Sequence, residues 1–347
     1  MSLLDHITVL ILTHERPLYL ERILEYYREY SLKILVADSS LISGAEKIND
    51  PAVEYHHYSG KTHGQKLAAS LQCIQSKYTV MCADDDFTLP DAMITCIEYL
   101  EKNKDFAVAQ GYSINYKKQE KYSGNPELGA IYPNQKVHEI KMGPPLERVA
   151  ALFAHYRTVF CAVHYTKHLQ IAYGSINDKF SNLFLNEYLS GILPLIFGNY
   201  IELPIFFQVR EYTEVSGDKT TDNLEIIYSN ERYRKELNNY LDYITDIASN
   251  AISLDQPLIR KKLNDCLSEY ARQLVIEKNS LNPVTFLKRL GRIIGYIPFL
   301  GKKMINFSRE TSRKKQISAI VRTDQDNKNL KIIIQLILKY ADRLAGK

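Results

Sequence analysis

The first 113 residues alternate between continuous apolar runs and segments whose apolar residues recur at helical spacing. The apolar runs are ITVLIL (7–12), KILVAD (33–38), VEYHHY (53–58), YTVMCA (78–83) and FAVAQGYS (106–113). The helical segments are LYLERILEYYREY, HGQKLAASLQCIQ and DAMITCIEYLEKN, and prolines (Pro17 and Pro90) precede the first and the last. Strands that alternate with helices run parallel and are covered on both faces. The pattern therefore predicts an α/β fold with a mainly parallel sheet.

The remainder of the chain has a different pattern. Residues 114–145 are polar, with scattered glycine and proline, and are typical of a long loop. An apolar helix, LFLNEYLSGILPLIF, and short strands around YIEL and IFFQVRE are expected next. From Asn223 onward nearly every segment has helical spacing. We therefore expect one domain over residues 1–220 and a helical C-terminal extension over residues 221–347.

The cysteine count and the lack of a long apolar run restrict the class of protein. Five scattered cysteines without CxxC spacing argue against a disulfide framework and a zinc site, and favour a reducing compartment. The apolar stretch Ile7–Leu12 is too short for a signal peptide, and no run approaches the roughly 20 residues of a membrane-spanning helix. We expect a cytoplasmic protein that contacts, at most, the inner face of the cell membrane.

Three consecutive aspartates, Asp84, Asp85 and Asp86, follow the strand YTVMCA. Adjacent carboxylates repel one another, and burying them is costly unless a cation lies between them. Ligands of open parallel sheets bind beyond the carboxyl ends of the strands, where Asp38 also lies. Because side chains alternate along an extended segment, Asp84 and Asp86 should converge while Asp85 points away. The pattern favours a site for Mn²⁺ or Mg²⁺ and a phosphate-bearing ligand, and the alternative is a solvated helix-capping turn before Pro90.

Four features in order along residues 7–113 resemble the GT-A glycosyltransferases, particularly their large family-2-like group. They are T-x-x-R-P after the first strand, an acid ending the second strand, lysines around a helix start, and D-x-D after a further strand. The residues concerned are Thr13, Arg16, Pro17, Asp38, Lys61, Gln65, Lys66, Asp84 and Asp86. His14 stands where this group usually has asparagine. The resemblance implies transfer of a sugar from a nucleotide-diphospho-sugar, expected to be a UDP-sugar, to a glycan or lipid-linked acceptor. It also implies inversion at the sugar carbon and a task in surface polysaccharide synthesis.

The same resemblance implies roles for individual residues in donor binding. Asp38 would contact the nucleotide base, and Asp84 would contact the ribose or help to hold the ion. Asp86 would be the chief metal ligand, bridging to the donor diphosphate. Either Lys61 or Lys66 would neutralise the phosphates. Thr13, Arg16 and Asp85 would complete the nucleotide-sugar site.

Two further roles lie outside residues 7–113. In family-2-like enzymes the base that deprotonates the acceptor is an acid, often in an E-D pair, at the start of a later helix. Glu187 in the apolar helix is our first candidate and Asp178 the second, although the E-D pair itself is missing. Arg210, in QVREYTE, would suit a phosphate clamp because a guanidinium binds two oxygens at once.

Two other interpretations of the same residues also fit the sequence. DDDFTL also fits D-x-D-x-T-L of haloacid-dehalogenase-like phosphatases, with Asp84 as nucleophile, Asp86 as acid/base and Thr88 on the phosphate, and GDKTTD (217–222) fits their later metal motif. Against this, their first motif usually ends the first strand, and YTEVS is not an apolar strand. A degenerate, inactive GT-A scaffold is the non-enzyme alternative.

The positive charge of the chain is concentrated in one segment. Residues 282–315 contain nine Lys or Arg residues and one acid, although the whole chain has a net charge of only +4. Apolar clusters alternate with these bases, which is typical either of a helix on an anionic membrane surface or of a packed helical subdomain. The last helix, NLKIIIQLILKYADRL, could also form a homodimer. No nucleic-acid recognition motif accompanies the charge, so we expect no nucleic-acid partner.

Overall fold

The computed structural model describes residues 3–48, 50–117, 127–131, 138–141, 143–176, 179–213, 221–280 and 311–344. The strands are β1 (Ile7–Thr13), β2 (Lys33–Asp38), β3 (Val53–His57), β4 (Tyr78–Ala83), β5 (Asp86–Thr88), β6 (Phe106–Lys117), β7 (Glu127–Ala130), β8 (Glu139–Ile140), β9 (Val163–Tyr165) and β10 (Asn199–Tyr212). The helices are α1 (Pro17–Tyr27), α2 (His63–Cys73), α3 (Pro90–Lys102), α4 (Pro145–Ala154), α5 (Thr166–Tyr173), α6 (Leu183–Phe197), α7 (Leu224–Ser229), α8 (Arg234–Ser249), α9 (Gln256–Ser280) and α10 (Asp324–Leu344). Residues 311–320 are also helical.

The strands form one sheet in the order β3-β2-β1-β4-β9-β6-β10-β5, with β7 paired to β6 and β8 to β10. Strands β1 to β4 run parallel where they pair, and β10 runs parallel to β6. The short strand β9 lies between β4 and β6 and is antiparallel to both. Strands β4 and β6 therefore run in the same direction. The predicted α/β class and mainly parallel sheet are confirmed.

Two predictions about strand bounds are wrong. Strand β6 continues to Lys117 instead of ending near residue 113, and the short strands around YIEL and IFFQVRE are one strand, β10, with register shifts along it. In the last part of β6, Ile114 and Tyr116 are buried while Asn115 and Lys117 are exposed. A strand with one wet face therefore has the polar composition of a loop.

Apolar layers cover both faces of the sheet, as the runs predict. Strand β1 is buried along its whole length: Leu10 and Leu12 face one core, and Val9 and Ile11 face the other. Helices α2, α4, α5, α6, α8 and α9 pack in the first core, and α1, α3 and α10 pack in the second. The C-terminal region thus contributes helices to both cores, and the boundary near residue 220 stays a prediction.

The predicted last helix is confirmed as α10, and its apolar stripe packs against α1. Ile333, Ile337 and Tyr340 are buried there, and the Tyr340 hydroxyl donates a hydrogen bond of 2.8 Å to Glu25. The apolar stripe of α10 therefore packs against another helix of the same chain, and formation of a homodimer stays a prediction. Most of the basic segment, residues 282–310, lies outside the described residues. Among the helices that the structure describes, none combines the length and apolar character needed to cross a membrane.

Candidate functional site

The carboxyl ends of β1, β2, β4 and β10 meet at one edge of the sheet and border a cleft of about 850 Å³. Strand β1 lies between β2 and β4, so the chain turns in opposite directions on its two sides. Ligands of open α/β sheets bind at such a switch point. The structure brings most of the predicted residues to this cleft: Thr13, Arg16, Lys61, Lys66, Asp84, Asp85, Asp86, Glu187 and Arg210.

The aspartate triplet is buried and paired with arginines. Asp84, Asp85 and Asp86 are 1%, 7% and 4% exposed. Arg16 lies 2.7 Å from Asp84 Oδ1 through Nη1 and 2.7 Å from Asp85 Oδ2 through Nη2. Arg210 Nε lies 3.3 Å from Asp86 Oδ2. Cations from the chain itself therefore offset the cost of burying these carboxylates.

This geometry excludes the alternative interpretation of the triplet and overturns one expectation for it. It is not a solvated capping turn, because the N-cap residue of α3 is Leu89 and the aspartates are buried. Asp85 does not point away, because it shares the Arg16 guanidinium with Asp84. The alternation rule fails here because the chain turns between β4, which ends at Ala83, and β5, which begins at Asp86.

Asp84 and Asp86 retain protons more readily than ordinary aspartates. Burial raises the pKa of Asp84 and of Asp86, each to about 7, although Arg16 and Arg210 act in the opposite direction. Burial by itself would lower the pKa of Arg16, but Asp84 and Asp85 outweigh it and the net change is upward. Strongly shifted carboxyls in a cleft are typical of functional sites.

The T-x-x-R-P segment explains how Arg16 reaches the triplet. Thr13 ends β1 and donates a hydrogen bond of 2.6 Å to Asp84 Oδ2. Glu15 has a φ of 54°, a left-handed conformation that costs energy for a residue with a side chain. Its N–H donates to Ser40 Oγ at 2.7 Å, and its carboxylate accepts from Leu41 N at 2.6 Å. Arg16 is then the N-cap residue of α1, which begins at Pro17.

Lys66 joins the ends of β1 and β2. Its ammonium donates to the Thr13 carbonyl at 2.7 Å and to Ser39 Oγ at 3.0 Å. Burial lowers the pKa of Lys66 to about 8, while Asp84 and Asp38 act to raise it. A capping box between Thr62 and Gln65 starts α2, and Lys66 directly follows Gln65 in this helix. Lys61, by contrast, lies exposed at the rim of the cleft.

Asp38 is buried just below the cleft. Its Oδ1 accepts from the Ser40 N–H at 2.8 Å and the Ser40 hydroxyl at 2.5 Å, and its Oδ2 accepts from the Tyr55 hydroxyl at 2.6 Å. Among the described residues, Ser39 lines the cleft and Asp38 does not. Asp38 therefore shapes the loop after β2, and its contact with a nucleotide base stays a prediction.

Glu187 lies in the second turn of α6 and faces the cleft. The Asn182 side chain caps this helix by accepting from Phe184 N and Leu185 N. The Tyr156 hydroxyl donates a hydrogen bond of 2.8 Å to Glu187 Oε1 and so fixes the carboxylate. A half-buried, oriented carboxylate is suited to accept a proton. Asp178, the second candidate base, lies outside the described residues.

Sequence reasoning missed several residues of the site. Thr213 donates to Asp85 Oδ2 at 3.1 Å and accepts from Arg16 Nη2 at 3.3 Å. It directly follows β10, so the rule about strand ends could have found it. His63 also lines the cleft, and burial together with Lys66 lowers its pKa to about 3, so it is neutral at pH 7. For Tyr156 the sequence offers no such signal.

The donor atoms of the triplet restrict how a metal could bind. Within the described ranges, no three His, Cys, Asp or Glu side chains are arranged as a ligand set. Both oxygens of Asp84 are engaged, by Arg16 and by Thr13. Asp86 has the longer contact of 3.3 Å with Arg210. A divalent ion that takes one carboxylate and completes its shell with diphosphate oxygens and water therefore fits Asp86 better than Asp84.

No known family profile matches the sequence, and no curated protein does. Among solved structures, the chain is similar to S. aureus TarS 1-349 in complex with UDP-GlcNAc, with 10% identity and a TM-score of 0.44, over 76% of this chain and 89% of that one. For S. aureus TarS 1-349 in complex with UDP the TM-score is 0.40, with 9% identity over the same shares. For S. aureus TarS the TM-score is 0.42, with 9% identity over 76% of this chain and 54% of that one.

Proposed function

We propose that the chain is a glycosyltransferase that takes a sugar from a nucleotide-diphospho-sugar, with a UDP-sugar as the expected donor. The observation that supports this most is the buried aspartate triplet, which lies at the switch point of the sheet between Arg16 and Arg210. The cleft of about 850 Å³ is within the range of roughly 300–1,000 Å³ that holds small ligands. Acidic and basic side chains lie together in the cleft, and they suit a donor whose hydroxyl groups can bond to carboxylates and whose phosphates can pair with cations.

The donor diphosphate would be bound by the basic side of the cleft. Arg210 is 36% exposed at its side chain, and Lys61 is exposed at the rim, so both can contact phosphate oxygens. Lys66 holds the loops after β1 and β2 in place through Thr13 and Ser39. Asp86 would hold Mn²⁺ or Mg²⁺, which stabilises the charge that develops on the departing diphosphate.

Glu187 would act as the general base. It accepts the proton of the acceptor hydroxyl while that oxygen attacks the anomeric carbon and the nucleoside diphosphate leaves. The hydrogen bond from Tyr156 keeps the carboxylate oriented before the acceptor arrives. Direct attack by the acceptor on the face opposite the leaving group would invert the anomeric carbon. We further propose a glycan or lipid-linked acceptor in surface polysaccharide synthesis.

The phosphatase alternative gains no support from the positions of its residues. Asp84 would need a carboxylate oxygen free for attack, yet Arg16 and Thr13 engage both oxygens. Thr88, which would bind phosphate, is fully buried, and Gln208 Nε2 lies 3.4 Å from its hydroxyl. The residues of the later motif that the structure describes include Asp222, which bonds to Arg232 and Tyr233.

A thermal-shift panel tests the proposal. UDP, GDP, CDP and ADP are each added with and without Mn²⁺, and one nucleotide should raise Tm in a metal-dependent way, because a ligand of the native state stabilises it by mass action. Asp86→Asn should lose the metal-dependent part of this shift. Asp242→Asn, which removes an exposed partner of Arg260, is the matched control and should keep it. If vanadate raises Tm and no nucleotide does, the chain is better explained as a phosphatase. If neither vanadate nor any nucleotide raises Tm, it is better explained as an inactive scaffold.

A further inference from the structure

A second groove, of about 850 Å³, continues outward from the cleft. The two share Asn115 and Tyr212 as lining residues, so they form one continuous depression. The floor of the groove is the outer end of β6, with β7 on one side and β10 on the other. A helical segment over 311–320 forms its remaining wall through Ser312, Arg313 and Gln316.

The strand register shows how the groove is connected to the triplet. Arg210 of β10 pairs with Asn115 of β6, which pairs with Gly129 of β7. Two residues further out, Tyr212 pairs with Lys117, and Lys117 pairs with Glu127. Residues two apart on a strand face the same way, so this second row lies on the same face as Arg210. The groove therefore begins at Asn115, the strand partner of the arginine that contacts Asp86.

The lining of the groove combines an aromatic ring with polar and mainly basic groups. Tyr212 is 47% exposed, and Lys117 Nζ lies 4.9 Å from the centre of its ring. Arg313 forms an ion pair with Glu127 across the groove. Among the charged residues that line the groove, Lys117 and Arg313 outnumber Glu127. An exposed tyrosine offers an apolar face and a hydroxyl together, which suits a sugar ring.

We infer that this groove binds the acceptor and that the acceptor is an acidic saccharide, one with a carboxylate or phosphate group close to the hydroxyl that is glycosylated. This inference rests on the proposed function, because an acceptor must extend out of the donor cleft with its reactive end inside. The sugar ring packs on Tyr212, hydroxyls bond to Asn115, and the acidic group pairs with Lys117 and Arg313. Guanidinium and ammonium groups bind such anions by charge-assisted hydrogen bonds.

The groove also gives the C-terminal region a part in specificity. Arg313 comes from a segment almost 100 residues beyond β10, and it reaches the groove through its contact with Glu127. The donor cleft is lined only by residues up to Thr213 among those that the structure describes. Acceptor recognition would therefore use a side chain of the C-terminal region in addition to residues of the sheet.

Isothermal titration with four named probes tests the inference. The probes are tetragalacturonate, an oligomannoside bearing mannose 6-phosphate, neutral maltotetraose, and short poly-glutamate as a non-saccharide anion. The full-length chain should bind the two acidic saccharides at least about tenfold more tightly than the other probes, the effect of one charge-assisted contact. The preferred saccharide distinguishes a carboxylate from a phosphate ligand.

Variants locate the binding. Lys117→Gln should weaken binding of the acidic saccharides about tenfold, whereas Lys331→Gln, which removes an exposed charge on α10, should not. Tyr212→Ala should weaken binding, and Tyr212→Phe should largely retain it. The inference is overturned if maltotetraose or poly-glutamate binds equally well, if no saccharide binds, or if Lys117→Gln has no effect.

The nucleotide thermal shift, measured on the same samples, separates the two proposals. The Lys117→Gln variant should keep the shift, because Lys117 is exposed and does not line the donor cleft. A wild-type chain that binds acidic saccharides but responds to no nucleotide would refute the proposed transferase activity and leave a saccharide-binding groove. A chain that responds to a nucleotide but prefers neutral saccharides would refute the acceptor inference alone.

Discussion

Replacing Arg16 with alanine removes the cation shared by two buried carboxylates. Breaking a buried ion pair by deleting one partner costs about 3–5 kcal/mol, because the other charge stays buried. The Arg16 side chain is 17% exposed, so water can reach part of the gap and we expect the lower end, about 3 kcal/mol. An unfolding entropy of about 2.1 cal/mol/K per residue amounts to about 0.7 kcal/mol/K for 347 residues, so Tm should fall by about 4 °C.

Differential scanning calorimetry at pH 7.5 without nucleotide measures this change. Arg272→Ala is the matched control, because it deletes an exposed arginine paired with Glu269, and surface pairs contribute little. Adding Asp85→Asn to Arg16→Ala should restore part of the lost Tm, since one of the two stranded charges is then gone. The reasoning is refuted if Arg16→Ala melts with the wild type, or if the second substitution lowers Tm further.

Three more predictions concern catalysis, pH dependence and packing. Glu187→Gln should lower the transfer rate about 10²–10⁴-fold while the nucleotide thermal shift is kept; unchanged turnover would remove Glu187 as the base. Burial raises the pKa of Glu202 from 4.5 to about 7, so the folded state binds more protons between those pH values and its stability falls as pH rises across them. In Glu202→Gln, Tm should fall less steeply with rising pH than in the wild type. Equal slopes of Tm against pH would contradict the raised pKa of Glu202. Gly111→Ala would place Cβ 2.6 Å from the Ile205 carbonyl and should cost about 1–3 kcal/mol in chemical denaturation, whereas Gly129→Ala, with open space around it, should be neutral.

The C-terminal helix α10 links the far end of the chain to the candidate site. It packs on α1, whose N-cap residue is Arg16, and Arg343 pairs with Glu21 of α1 at 2.8 Å. The first helix is thus held from both sides: its start bonds to the triplet, and its outer face bonds to α10. The sequence indicated a helix here, but its partner is a property of the folded chain.

The pattern of apolar residues was enough to predict the α/β class, the order of the first strands and helices, and the edge of the sheet where the candidate residues gather. Burial on both faces makes a strand such as β1 continuously apolar, and the rule about strand ends then places Asp38 and the aspartate triplet at one edge. These inferences succeed because periodicity is local and survives in a single sequence. The same reasoning failed at the end of β6, where one face of the strand is exposed to solvent and its polar residues made the segment resemble a loop.

What only the tertiary structure decided is which groups meet across long separations. Arg16 and Asp85 are 69 residues apart, and Arg210 and Asp86 are 124 apart, and nothing in their local spacing specifies the pairing. The same holds for the bond between Tyr156 and Glu187 and for the arrival of Arg313 beside Glu127. These contacts depend on how the layers close around the sheet. The sequence therefore determined where the acidic charge would lie, and the packing determined what neutralises it.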